Sequence, residues 1–137
     1  PMPWAAHNPG AGFSTVSPWL PIPAEHMALA VQTQERDPHS LLMLTRRLIA
    51  LRNTSAALRA GAIRIIEAGD SILGFERTAV REQLLCVFNL GETPQTFSAP
   101  LPGKWRVLEA VGGATPWTLP PWSGLLAMHV NGSHPAA

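Results

Sequence analysis

Nine carboxylates are spread along the chain: Glu25, Glu35, Asp37, Glu67, Asp70, Glu76, Glu82, Glu92 and Glu109. A matched pair, one group neutral and one ionised, can serve as general acid with a base or nucleophile. None of the nine sits in a setting that marks it as half of such a pair. Asp37 precedes Pro38 and reads as a helix cap. Glu67 and Asp70 flank a hairpin turn, and Glu76 and Glu82 read as solvent-facing charges near strand ends. The chain is therefore expected to hold no catalytic residue of its own. Metal ligation is equally unsupported, because His7, His26, His39, His129 and His134 lack ligand spacing. Cys86 is the only cysteine. It lies inside Leu84-Leu85-Cys86-Val87-Phe88 and is expected to be a small buried hydrophobe. No intrachain disulfide can form, which fits a reducing compartment such as the cytoplasm. Gly112-Gly113 is not followed by Lys-Ser or Lys-Thr, so it is a turn and not a phosphate loop. No cofactor is implied.

The elements that would position these groups change character along the chain. Six prolines (Pro1, Pro3, Pro9, Pro18, Pro21, Pro23) precede Val31, so residues 1 to about 36 read as irregular, with a short helix over 25–34. Asp37-Pro38 is a helix start. Leu41, Leu44, Leu48 and Leu51 recur at spacings of three and four, widened by Leu42 and Ile49. This predicts a helix over 38–53, a further turn over 56–59 and a stop at Gly61. From Ala62 the period shortens. Strands are expected at 63–66, 72–77, 84–89, 95–98, 105–109, 116–119 and 125–130, separated by turn signals such as Gly91-Glu92-Thr93-Pro94 and Gly112-Gly113. Residues 131–137 read as a flexible tail. The fold class is thus mainly β: an antiparallel β-sandwich over 61–130, preceded by an irregular loop and one long helix over 1–60.

Net charge is +1, which gives no field for nucleic acid or an anionic membrane surface. No stretch approaches the roughly 18 apolar residues of a membrane span. Only 14% of residues are charged while 46% are hydrophobic, so part of the surface is expected to be covered by a partner or by a further domain.

Pro1-Met2-Pro3-Trp4, Ala11-Gly12-Phe13-Ser14 and Pro18-Trp19-Leu20-Pro21, followed by the helix with Arg46-Arg47-Leu48-Ile49-Ala50-Leu51-Arg52, together resemble the C-terminal third of family 13 glycoside hydrolases. The similarity is to the α-glucosidase and oligo-1,6-glucosidase type. The resemblance implies that residues 1 to about 36 are the long loop after the seventh or eighth strand of a (β/α)8 barrel. The helix from Pro38 is then the last barrel helix, and the chain from about Ala62 is the antiparallel sandwich called domain C. It implies a retaining mechanism on α-glucosidic bonds of small oligosaccharides, with two carboxylates about 5 Å apart that lie before residue 1. What the resemblance carries onto this chain is the entrance loop: Met2, Trp4, Phe13 and Trp19 would shape the substrate pocket.

Trp117 and Trp122 are candidate α-glucan contacts, because an aromatic face suits the C–H face of a pyranose. Trp105 can join them, or all three can fill the ends of the sandwich. Two alternatives stand beside the glycosidase reading. One is a free-standing carbohydrate-binding β-sandwich. The other is an assembly role, with the Leu41/Leu44/Leu48/Leu51 stripe self-associating or packing on the remainder of the parent barrel.

Overall fold

The computed structural model describes residues 1–98 and 103–130; the tail expected over 131–137 lies outside the described residues. The chain divides into two compact units, Pro1–Leu51 and Arg52–Ala137.

The first unit is a folded-back loop followed by helices. Gly10, Ala11 and Gly12 take φ of 57°, 54° and 70°, a left-handed run that glycine makes cheap and that costs the alanine about 1 kcal/mol. That run returns the chain onto its start: Trp4 N and Ala5 N both donate to Ala11 O at 2.9 Å. Gly12 sits close enough that a Cβ there would lie 3.4 Å from Trp4 Cβ. In place of the single helix expected over 25–34, a 3-10 helix spans Ala24–Leu29 and α1 spans Val31–Gln34. The start of α1 is tied to the loop, with Val31 N donating to Pro3 O and Gln32 N to Trp4 O, each at 3.0 Å.

Helix α2 runs Leu41–Thr54, three residues later than the Asp37-Pro38 signal predicts. Asp37 instead closes a local turn, its Oδ1 accepting from His39 N at 2.8 Å. Ser40 does the capping. Its Oγ accepts from Met43 N at 3.3 Å and donates to Gln34 O at 2.7 Å. No residue of α2 is buried; Leu41 and Ile49 are exposed, and Leu44, Leu48 and Leu51 half-buried.

In the second unit a short helix α3, Ala56–Ala60, leads into the sheet. A Cβ at Gly61 would lie 2.6 Å from Ala57 O and 2.7 Å from Thr78 O, so only glycine lets the helix end this close to the sheet. The strands are β1 Ala62–Ile66, β2 Ile72–Ala79, β3 Glu82–Asn89, β4 Gln95–Thr96, β5 Lys104–Val111, β6 Thr118–Leu119 and β7 Ser123–Val130. Five form an antiparallel sheet in the order β1-β2-β3-β7-β5, and β4 pairs with β6 as a ribbon. The β5–β7 register shifts between Val107 and Glu109, a bulge that bends the edge strand. Alternation puts Ile66, Leu85, Val87, Leu125 and Ala127 on one face, where they pack against Phe97, Ala114 and Leu119.

Asn89 ties this sandwich together. It is fully buried. Its Nδ2 donates to Thr93 O at 2.8 Å and to Leu119 O and Pro120 O at 3.0 Å, and its Oδ1 accepts from Gly91 N at 2.9 Å. One side chain thus satisfies the turn after β3 and the chain end of β6. Asn89→Ala is expected to cost about 2–4 kcal/mol, because several buried backbone groups lose their partner at once. Chemical denaturation of the two proteins side by side measures it.

Candidate functional site

The left-handed run of residues 10–12 brings two of the expected entrance residues, Trp4 and Phe13, to one folded loop. Trp4 is 50% and Phe13 51% exposed. Phe13 N donates back to Gly10 O at 2.9 Å, so the ring is carried on a hydrogen-bonded turn. It lines a cavity of about 380 Å³ with Asn8, Pro9, Gly12, Ser14 and Thr15. An aromatic wall facing amide and hydroxyl groups suits a ligand with one apolar face and many hydroxyls. Met2 is half exposed two residues before Trp4, whereas Trp19 stands 90% exposed outside that cavity.

The aromatics of the second unit divide differently. Trp117 stacks on Phe97 with ring centroids 5.9 Å apart and planes 20° apart. Its carbonyl accepts from Phe97 N at 2.9 Å. These contacts hold its backbone at φ 72°, a conformation that strains a residue with a Cβ. Trp122 also has a positive φ and is 64% exposed. Trp105 is half-buried against the core, edge-on to His129 at 5.1 Å between centroids, so His129 is packed against this ring.

The carboxylates are occupied structurally or point to water. Glu76, expected at the surface, is only 4% exposed. Its Oε2 accepts from Arg64 Nε at 2.9 Å and from Arg64 Nη2, and its Oε1 accepts from Gln83 Nε2 at 3.1 Å. Glu82, also expected in solvent, caps α3: its Oε2 accepts from Ala57 N at 2.7 Å and from Ser55 Oγ at 3.0 Å. Glu35 pairs with Arg46 at 2.8 Å. Glu25, Glu67, Asp70 and Glu92 are exposed. Among the described residues no three His, Cys, Asp or Glu side chains group as metal ligands, and no helix is long and apolar enough to cross a membrane. Cys86 is buried in β3. Burial pushes its thiol up to about 11, opposed by the charge of Arg77.

Residues 1–61 match the α-amylase catalytic domain, and residues 53–126 match a C-terminal domain described as a domain of unknown function, DUF3459. The chain is 38% identical over 133 residues to a probable α-glucosidase of Rhizobium meliloti (strain 1021), covering 93% of this chain and 24% of that protein. It superposes on a crystal structure of an α-glucosyl transfer enzyme with a TM-score of 0.79 at 32% identity, covering 95% of this chain and 25% of that one. A Bacillus licheniformis trehalose-6-phosphate hydrolase shares the fold at a TM-score of 0.83 and 20% identity, with 96% of this chain and 25% of that one covered. This chain belongs to the α-amylase family, glycoside hydrolase family 13, as the end of the catalytic domain together with the β-sandwich that follows. It spans about a quarter of the length of these relatives.

The raised thiol of Cys86 has a consequence for stability. The unfolded chain ionises its thiol near the ordinary value of 9.0, the folded chain only near about 11. Stability is therefore complete below the lower value and lost as pH rises toward the higher one, by roughly 2–3 kcal/mol. Urea melts between about pH 8 and 10.5 are expected to show this extra loss in the native sequence and not in Cys86→Ala.

Proposed function

We propose that this chain is the C-terminal part of an α-glucosidase acting on α-glucosidic bonds of short oligosaccharides. The acid and the nucleophile come from the preceding part of the barrel, and this part holds the barrel end and shapes the substrate entrance. The observation that carries this reading is the entrance loop: Trp4 and Phe13 stand half exposed on a hydrogen-bonded turn whose sequence is that of the catalytic domain. An aromatic ring there acts on the sugar by stacking and by excluding water, not by moving a proton.

The domain division follows from the same reading. Residues up to about 60 complete the barrel, and residues 61–130 form the sandwich. The half-buried Leu44, Leu48 and Leu51 and the exposed Leu41 on α2 are the face that the rest of the barrel covers. A cytoplasmic location is part of the proposal and is supported by the single buried thiol.

In the parent-length enzyme, Phe13→Ala and Trp4→Ala are expected to lower kcat/KM on a nitrophenyl α-glucoside about tenfold, mostly through KM. Trp19→Ala is expected to change it less than threefold. Steady-state kinetics on the three variants decide this. Hydrolysis by the 137-residue chain alone at the rate of the longer enzyme overturns the reading.

A further inference from the structure

Where α3 meets the sheet, the second unit carries positive charge that the fold leaves uncompensated. Arg59 of α3 and Arg81, in the two-residue turn that joins β2 to β3, line one open cavity of about 420 Å³. Its other walls include Ala56, Ala79, Val80 and Glu82. Neither guanidinium has an ion pair or a hydrogen bond to another described residue. The elements that carry the two arginines are held to each other. Glu82 Oε2 accepts from Ala57 N at 2.7 Å, and Arg77 donates to Ala57 O at 3.1 Å and to Leu58 O at 3.4 Å. Glu82 and Arg77 thus sit on the main chain of the same helical residue, and their charges offset one another. Arg59 and Arg81 are the excess.

These walls define what fits. Two like charges at one cavity are best compensated by one anion that carries two charges and accepts from both forks. A lone carboxylate leaves one of them over. A phosphate monoester carries about −1.5 to −2 charges at pH 7 and presents three acceptor oxygens. The cavity holds more than a bare oxyanion, and the walls beside the arginines are apolar: Ala56, Ala79 and Val80, the last fully exposed. We propose that this cavity binds a small phosphate monoester, with its oxygens between Arg59 and Arg81 and its organic part over Val80 and the two alanines. The entrance loop plays no part in this site, and its ligand is not the glucoside of the proposed activity.

Calorimetric titration of the 137-residue chain with inorganic phosphate and with phenyl phosphate at low ionic strength tests it. Saturable binding of both is expected, phenyl phosphate the tighter by about threefold. Arg59→Gln and Arg81→Gln are each expected to weaken it about tenfold. Dimethyl phosphate, which carries a single charge, is expected to bind about tenfold more weakly than inorganic phosphate. Arg52→Gln removes an exposed charge that does not line the cavity and is expected to bind as the native chain does. Both cavity arginines are exposed, so their variants are expected to fold. Thermal melts check this, and if one variant is unfolded the other carries the test. Absence of saturable binding, unchanged binding in the cavity variants, or dimethyl phosphate bound as tightly as inorganic phosphate overturns the site. An equal loss in Arg52→Gln means an adventitious ion only and overturns it too. A phosphoserine peptide bound more than about tenfold tighter than phenyl phosphate overturns the small-molecule assignment in favour of a protein ligand.

Discussion

The central strand β3 must be covered on both faces at once, and the β-domain is arranged around that demand. Leu84, Leu85 and Val87 are fully buried and Cys86 nearly so. Successive residues of a strand point to opposite sides, so neither face of the sheet's middle can meet water. Leu85 and Val87 are closed off by the β4–β6 ribbon through Phe97 and Leu119. On the other side α3 packs against β2 and β3, with Arg77 reaching back to Ala57 O at 3.1 Å. That helix is five residues long, too short to hold itself together in water. Its stability is borrowed from Ser55 and Glu82 at its start and from the strands beneath it. Cover on this second face thins toward the sheet edge, where Ile63 and Ile65 of β1 are 57% and 61% exposed.

The ribbon that closes the other face is two strands of two residues each. Two residue pairs of backbone hydrogen bonding cannot hold a strand pair in place. The work falls to Asn89, which takes the carbonyls at the end of β6 and in the turn before β4 into one buried amide, and to Phe97 packed under Trp117. A buried amide is costly when half satisfied and specific when fully satisfied. Here it fixes which turn lies over which strand end, a task the apolar core alone leaves undetermined.

Much of this was legible in the residues. The run Leu84-Leu85-Cys86-Val87-Phe88 announces a strand buried on both faces, because alternation is missing, and the spacing of turn signals from Ala62 onward marks an antiparallel sandwich. The leucine spacing placed α2. Its first turn was misread because Asp37-Pro38 is a strong local signal, while Ser40 became the cap by also bonding Gln34, six residues back. Glu76 and Glu82 were misread for a related reason. A charge next to a turn is exposed by default, and what buries these two lies 12 and 27 residues away, in Arg64 and Ser55. The aromatic loop residues were found by their resemblance to a family, but the device that groups Trp4 with Phe13 is a backbone conformation, and Ala11 gives no composition signal for it.

That device also separates the shape of the loop from the side chains it exposes. Trp4, Pro3 and Ala11 are joined to the loop and to α1 through main-chain N–H and C=O groups. The side chains of Met2, Trp4 and Phe13 carry none of that network, and about half of each is exposed. Replacing one of them changes the exposed surface of the loop while the loop keeps its hydrogen bonds. Replacing Gly12 is different, because its left-handed φ and its 3.4 Å approach to Trp4 and Ala5 leave a side chain strained and crowded. Constraint on this loop therefore lies at its glycines, and freedom at its aromatics, because the backbone holds the shape and the exposed side chains do not.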